Sequence, residues 1–252
     1  MLYAMNRMKF KLRFARCVQL ALALLCLVAN SGAAVSAGTS HGNLELNGGQ
    51  YPYTVFAPIG YTPTRPAPAI LLVHGAGGNG PDFLKLWQGI AQKNGIILVA
   101  PTLPSGDKGA ALESQVPQLF HALMGLARKQ WNIDPRRIYL FGYSAGGYFT
   151  FDAAMLDSTY FAAAGVFAAR ITPEFAWIVQ KAQRKTPIAL YIGDHDQFFS
   201  RAQIRVTRDL LRASGFTVHY VEIINQDHNY PAVSDWVNQD AWTFMRGHSL
   251  PQ

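Results

Sequence analysis

The sequence predicts an α/β protein built on a mostly parallel central sheet of about eight strands, with helices on both faces and no large cap domain. Three observations carry this. Short runs that are apolar at consecutive positions alternate with longer stretches of helical periodicity. An Asn-Gly turn near the start joins two strand-like runs. Half of the 252 residues are hydrophobic, and neither an internal repeat nor a Pro/Ser-rich linker interrupts residues 44–247, so one core in one domain over residues 38–252 is expected.

The elements follow in chain order. Leu44-Glu45-Leu46 and Tyr51-Pro52-Tyr53-Thr54-Val55-Phe56 flank Asn47-Gly48-Gly49, which reads as an antiparallel hairpin at the sheet edge. Ala69–Val73, Ile96–Ala100, Ile138–Phe141, Ala164–Ala168 and Ile188–Ile192 are short and apolar throughout, as strands buried on both faces are. Val218–Ile223 alternates more and suits an edge strand. Leu112, Val116, Leu119, Phe120, Leu123 and Ala127 recur at steps of three and four, which predicts a helix with one apolar face. Similar spacing links Ile204, Leu210 and Leu211, and later Val237, Ala241 and Met245.

The formal charge of +7 would suggest a nucleic-acid or membrane-surface partner if it were evenly spread. It is not. Five of the 22 basic residues (Arg7, Lys9, Lys11, Arg13 and Arg16) lie in residues 1–37, which contain no acid, leaving 17 basic against 15 acidic side chains. That segment reads as a secretory signal peptide: a basic start, the apolar run Val18–Ala29, then small residues with Val35 and Ala37 placed for cleavage before Gly38. The run is shorter than the roughly 20 residues that span a bilayer. A lipoprotein anchor at Cys26 is disfavoured because Leu25 stands where a small residue belongs. The expectation is therefore an exported protein, secreted or periplasmic, with no membrane association after cleavage and no nucleic-acid partner. Both cysteines, Cys17 and Cys26, leave with the leader, which excludes thiol nucleophiles and thiolate metal sites from the mature chain.

The strand Ile138–Phe141 runs into Gly142-Tyr143-Ser144-Ala145-Gly146-Gly147, followed by helical spacing. G-x-S-x-G in a strand–turn–helix context is the nucleophile elbow, which makes Ser144 the candidate nucleophile. The following helix N-terminus favours negative charge there, and the Ala145 N–H faces the same spot. After the first buried strand, His74-Gly75-Ala76-Gly77-Gly78-Asn79-Gly80 leaves backbone N–H groups unhindered, so Ala76 N–H is the second oxyanion donor and His74 a buttress of the loop. The loop lacks the glycine order of a dinucleotide site and the Walker lysine.

The strand Ile188–Ile192 ends in Gly193-Asp194-His195-Asp196, where an orienting carboxylate belongs. Asp194 and Asp196 compete; the spacing favours Asp196 as the acid and leaves Asp194 to cap the loop. Beyond the edge strand, His228 in Asp227-His228-Asn229 has the chain position of the base. His41, His121, His195, His219 and His248 do not. A metal site from Asp194, His195, Asp196 and His228 is a weaker reading that the elbow makes redundant, so neither metal nor cofactor is expected.

The stretch Asp134-Pro135-Arg136-Arg137-Ile138-Tyr139-Leu140-Phe141-Gly142-Tyr143-Ser144-Ala145-Gly146-Gly147 resembles the secreted esterase and polyhydroxybutyrate depolymerase branch of the α/β-hydrolase superfamily. Dienelactone-hydrolase-like and prolyl-oligopeptidase-like domains share much of it, and the resemblance spans residues 44–247. It implies a serine hydrolase that cleaves carboxylic esters through Ser144, Asp196 and His228, with Ala76 and Ala145 as oxyanion donors; the leader adds export, and the lack of room for a lid suits small to medium esters. This chain departs from the branch in its cysteine-free mature segment, in having no attached substrate-binding module, and in carrying serine rather than the cysteine of dienelactone hydrolase proper. Tyr143, Phe198 and Phe199 are the substrate-pocket candidates. Ala169 to Pro187 is too short for a large lid; its Phe175, Trp177 and Ile178 either wall an acyl pocket or pack against the sheet, and packing is the favoured reading. A peptidase or acyltransferase using the same residues, and a non-catalytic binding scaffold on this fold, are the alternatives.

Overall fold

A computed structural model describes residues 37–106, 109 and 115–251. The leader reading falls, apart from Ala37, outside these residues. Ala37–Gln252 form one compact unit. Its strands are β1 (Gly38–Leu46), β2 (Gly49–Ala57), β3 (Ala67–Val73), β4 (Ile97–Pro101), β5 (Ile133–Tyr143), β6 (Ala163–Phe167), β7 (Ile188–Gly193) and β8 (Val218–Ile223). Its helices are α1 (Gly80–Asn94), α2 (Val116–Gln130), α3 (Ala145–Leu156), the single turn α4 (Ile178–Lys181), α5 (Arg201–Ala213) and α6 (Ser234–Met245).

All eight strands form one sheet in the order β1-β2-β4-β3-β5-β6-β7-β8. β2 runs antiparallel to both of its neighbours, and every pairing from β4 to β8 is parallel. β3, β4, β6 and β7 are buried at every residue, which is why their sequences are apolar without alternation. β8 is half-buried along its whole length, as an edge strand is. In the hairpin, Leu46 pairs with Gly49, so the turn is Asn47-Gly48 alone. Both turn residues have positive φ, 51° and 77°, the pattern a two-residue hairpin demands.

β5 begins earlier than the sequence suggested, at Ile133, because Ala67 pairs with Ile133 before a shift in register brings Ala69 opposite Ile138. The helix predicted from Leu112 is described from Val116 onward and buries Val116, Leu119, Phe120, Leu123, Met124 and Ala127. α1 was not singled out by periodicity, although Phe83, Leu84, Trp87 and Ala91 recur on its buried face. Asn79 caps it by accepting the Asp82 N–H, and Gly95 ends it in the left-handed conformation.

The strand order places the site. From β3 through α1 to β4 the chain moves toward the β1 edge; from β4 through α2 to β5 it moves the other way. Right-handed crossovers in opposite directions put α1 and α2 on opposite faces. The loops leaving β3 and β5 therefore diverge and open a crevice at the carboxyl ends of the strands.

At the far edge, α5 is fastened over β8 by charge. Arg205 grips Glu222 through both carboxylate oxygens at 2.5 and 2.7 Å, and the Tyr220 hydroxyl donates to the same carboxylate. Hydrogen bonding from Arg205, and then from Tyr220, outweighs partial burial and holds Glu222 at about 2, below its ordinary 4.5. A carboxylate depressed in the folded state stabilises above its unfolded value and loses that contribution as pH falls through the folded one. The urea midpoint of Glu222→Gln is expected to lie below wild type at pH 6, and the gap to close between pH 4.5 and 2; a gap independent of pH would contradict this.

Candidate active site

β5 delivers Ser144 onto a turn with φ 53° and ψ −118°, a conformation that L-residues with side chains rarely adopt. Two backbone bonds hold it: Ser144 N–H donates to the Phe167 carbonyl at 2.9 Å, and Gly147 N–H donates to the Ser144 carbonyl at 2.8 Å. The glycines are required by contact. A Cβ on Gly146 would collide with the carbonyl oxygens of Val73 and His74 at the end of β3, and one on Gly142 with Thr150 Oγ1 and the Gly146 carbonyl. The first N–H groups of α3 have no partner within the helix, so the Ala145 N–H, on the residue after Ser144, is uncommitted to the helix ladder.

His228 Nε2 lies 2.9 Å from Ser144 Oγ, and its Nδ1 lies 2.7 Å from Asp196 Oδ2. The Asp196 side chain is fully buried. Its other oxygen accepts the N–H groups of Phe198 and Phe199, both at 2.9 Å, so three donors orient one carboxylate. Asp194 does what a loop cap does, accepting the Gln226 N–H at 3.3 Å. The loops after β7 and β8 are laced together by Asp194 N–H to the Ile223 carbonyl and His195 N–H to the Gln226 carbonyl. A Cβ on Gly193 would collide with that Gln226 carbonyl.

The glycine loop after β3 is pinned from beneath. Leu103 N–H donates to His74 Nε2 at 2.9 Å, which leaves the proton on Nδ1 to donate to the Gly75 carbonyl at 2.7 Å. Gly77 N–H donates to Ser105 Oγ, and Gly80 N–H to Thr102 Oγ1. Burial, partly offset by the Gly75 carbonyl, lowers the pKa of His74, which fits the neutral imidazole this geometry needs. Ala76 is exposed at the crest of the loop.

Two clefts flank that crest. One of about 240 Å³ lies between the segment after β4 (Leu103, Pro104, Ser105) and Tyr148 and Phe149 of α3. The other, about 380 Å³, lies over α1 and includes Phe83, Leu86, Tyr143, Tyr230 and Pro231. Of the three pocket candidates, Tyr143 lines the second cleft, whereas Phe198 and Phe199 line neither. Those two stand against the imidazole instead, with ring centroids 4.7 and 5.8 Å from His228, and Phe198 is 66% exposed. Of Phe175, Trp177 and Ile178, only Ile178 is buried; Phe175 is half-buried, and Trp177, which is half exposed, departs from the packing expectation. Tyr148, Phe149 and Leu103 escaped the sequence reading; their signal was nearness to the elbow and to a buried strand's carboxyl end. Among the described residues no cluster of His, Cys, Asp and Glu could hold a metal ion.

The sheet order, the strained serine between β5 and α3 and the crevice above them define an α/β-hydrolase fold. Residues 56–234 match the Dienelactone hydrolase family, and the chain belongs to that family. A bifunctional acetylxylan esterase/xylanase, XynS20E of Neocallimastix patriciarum, is 29% identical over 154 residues, 60% of this chain but 22% of that protein. The chain thus spans well under half of that curated relative. A thermostable esterase aligns over 84% of this chain and 63% of its own with a TM-score of 0.64 at 23% identity. The ferulic acid esterase AmCE1/Fae1A of Anaeromyces mucronatus, in complex with ferulic acid, aligns over 84% of this chain and 90% of its own (TM-score 0.69, 15% identity). An S-formylglutathione hydrolase of Agrobacterium tumefaciens aligns over 82% and 94% (TM-score 0.67, 16% identity). At these identities the structures speak for the fold.

His74→Ala strands the buried Leu103 N–H and is expected to cost roughly 1–3 kcal/mol in urea unfolding at pH 7.5. Because His74 resists protonation in the folded state, its contribution is complete above pH 6.5 and declines as pH falls through its lowered value. The difference between wild type and variant should narrow in that direction; a widening gap would refute the neutral assignment.

Proposed function

We propose that this chain is a serine esterase that hydrolyses small to medium carboxylic esters through an acyl-enzyme. One observation carries the reading: a single imidazole bridges Ser144 Oγ at 2.9 Å and the buried Asp196 carboxylate at 2.7 Å, on a strained elbow. In this mechanism His228 Nε2 takes the Ser144 proton as Oγ bonds to the ester carbonyl carbon. The carbonyl electron pair moves onto oxygen, where Ala76 N–H and Ala145 N–H donate to it. The pair then returns, the C–O bond to the alcohol breaks, and His228 delivers its proton to the departing oxygen. Water repeats the sequence at the acyl-enzyme, with His228 accepting its proton and returning one to Ser144. Asp196 holds the imidazole with Nδ1–H pointing at itself and balances its positive charge.

Family membership supports hydrolysis, and the acetylxylan and ferulic acid esterases among the relatives support an ester as the bond cleaved. The open crevice supports substrates of modest size. The reading includes export, supported by the basic start, apolar run and small residues of the first 37 positions.

Hydrolysis of 4-nitrophenyl esters of increasing acyl length tests it. Ser144→Ala is expected to fall at least about a thousandfold in kcat while remaining folded, and a fluorophosphonate to label wild type at Ser144 alone. A folded wild type that neither turns over esters nor takes the label would defeat the proposal and favour a binding scaffold.

A further inference from the structure

Resting on that reading, we infer that Tyr143 is a positioning residue for His228, acting through its phenol, rather than chiefly a wall of the substrate pocket. The Tyr143 hydroxyl donates to the backbone carbonyl of His228 at 2.8 Å, across 85 residues of sequence. Tyr143 is the residue immediately before Ser144, so one side chain ties the nucleophile's own turn to the residue that must face it.

The ring is placed to do this. It lies against the imidazole at 5.1 Å between centroids, stacks on Tyr230 at 5.4 Å and 27°, and meets Phe167 edge-on at 6.0 Å. Its other side abuts the glycine loop: a Cβ on Gly75 would sit 2.9 Å from two Tyr143 ring carbons. Gly75 thus has no room for a side chain while Tyr143 holds this place, and the ring packs directly against the glycine loop. Tyr230 is itself buried and bonded through its hydroxyl to Asn238, so the stack rests on a fixed base.

The remaining hold on the imidazole's backbone is looser. His228 N–H reaches Gln197 Oε1 at 3.3 Å, and the carbonyl also receives the N–H of Tyr230 at 2.9 Å, a bond within the same turn. Neither ties His228 to the serine turn. Only the Tyr143 hydroxyl, among the described residues, bonds the histidine's backbone to the strand that delivers Ser144. Burial, and then the nearby charges of Asp196 and Asp227, raise the phenol's pKa, so it remains a donor well into alkaline solution.

Tyr143→Phe removes the hydroxyl and keeps the ring; the carbonyl retains the Tyr230 N–H, so no buried acceptor is orphaned. Rates are taken per active site, titrated with a fluorophosphonate. We expect kcat for a 4-nitrophenyl ester and the rate constant of fluorophosphonate labelling to fall together, about tenfold, as loss of alignment rather than of binding predicts. KM and the thermal midpoint should hardly move. A raised KM with unchanged kcat would make Tyr143 a pocket wall, and a lower thermal midpoint with wild-type rates per titrated site would make it structural only; either overturns the inference. Tyr143→Leu, which loses ring and hydroxyl, must fall further than Tyr143→Phe in labelling rate, and parity with wild type would also overturn it. If wild type is itself inert and unlabelled, the esterase reading fails first, a result distinct from a labelled wild type matched by Tyr143→Phe.

Discussion

The backbone of Ser144 sits where an isolated serine would rarely go, at a cost on the order of 1–3 kcal/mol, and the surrounding elements exist in the form needed to hold it there. β5 is buried from Ile138 to Gly142, up to the half-buried Tyr143 that precedes the turn, so packing on both faces resists a shift that would relax it. α3 begins at once on the far side, and Gly146 lets its first turn press against the end of β3. That contact brings the glycine loop, which leaves β3, beside the serine. The strained residue and the glycine loop are thus neighbours because one helix start lacks a Cβ, and a side chain at position 142 would collide with Thr150 Oγ1 and the Gly146 carbonyl.

The other half of the site is held differently. Asp196 and His228 belong to separate loops beyond the last two strands, and neither loop is regular. Their precision comes from cross-bonding between the loops and from donors that converge on the carboxylate. Phe198 and Phe199 contribute backbone rather than side chain to Asp196, and their rings then border the imidazole. Catalytic geometry on loops is ordinarily less exact than on helices or strands. Here the aromatic layer of Tyr143, Tyr230 and Phe167 lies beneath the histidine loop, so the loop-borne half of the site rests on side chains set by the strands and the first turn beyond His228.

Topology explains why the site is open. The two loops that must meet leave adjacent strands toward opposite faces, so the crevice between them is bounded by whatever follows each strand. On one side this is the segment after β4 and the first turn of α3; on the other it is α1 and the residues just beyond His228. The stretch between β6 and β7 holds only short turns and leaves Trp177 in solvent, so nothing of substantial size in it covers the serine.

Much of this was legible before any coordinate. Strands buried on both faces leave uninterrupted apolar runs, a two-residue hairpin leaves Asn-Gly, and a strained strand-to-helix turn leaves glycines two residues either side of its centre; each is a local requirement written in consecutive residues. The chain order of Ser144, Asp196 and His228 was readable for the same reason. Other assignments needed the tertiary structure. The spacing after β7 already favoured Asp196 over Asp194, but that the Asp196 carboxylate lies 2.7 Å from His228 Nδ1 while Asp194 accepts the Gln226 N–H depends on how the loops after β7 and β8 are bonded together. Trp177 and Phe198 carry the composition of a core yet face solvent, because burial depends on what packs over a residue rather than on its own chemistry. Tyr143 reads in sequence as a neighbour of the nucleophile; that its hydroxyl reaches His228 is a fact about two strand ends brought side by side. The elements and the chemistry each could carry were legible in the residues alone, since those depend on neighbours along the chain. Which groups meet, and at what distance, was decided by the sheet order and the packing across it, where the contacts are long-range.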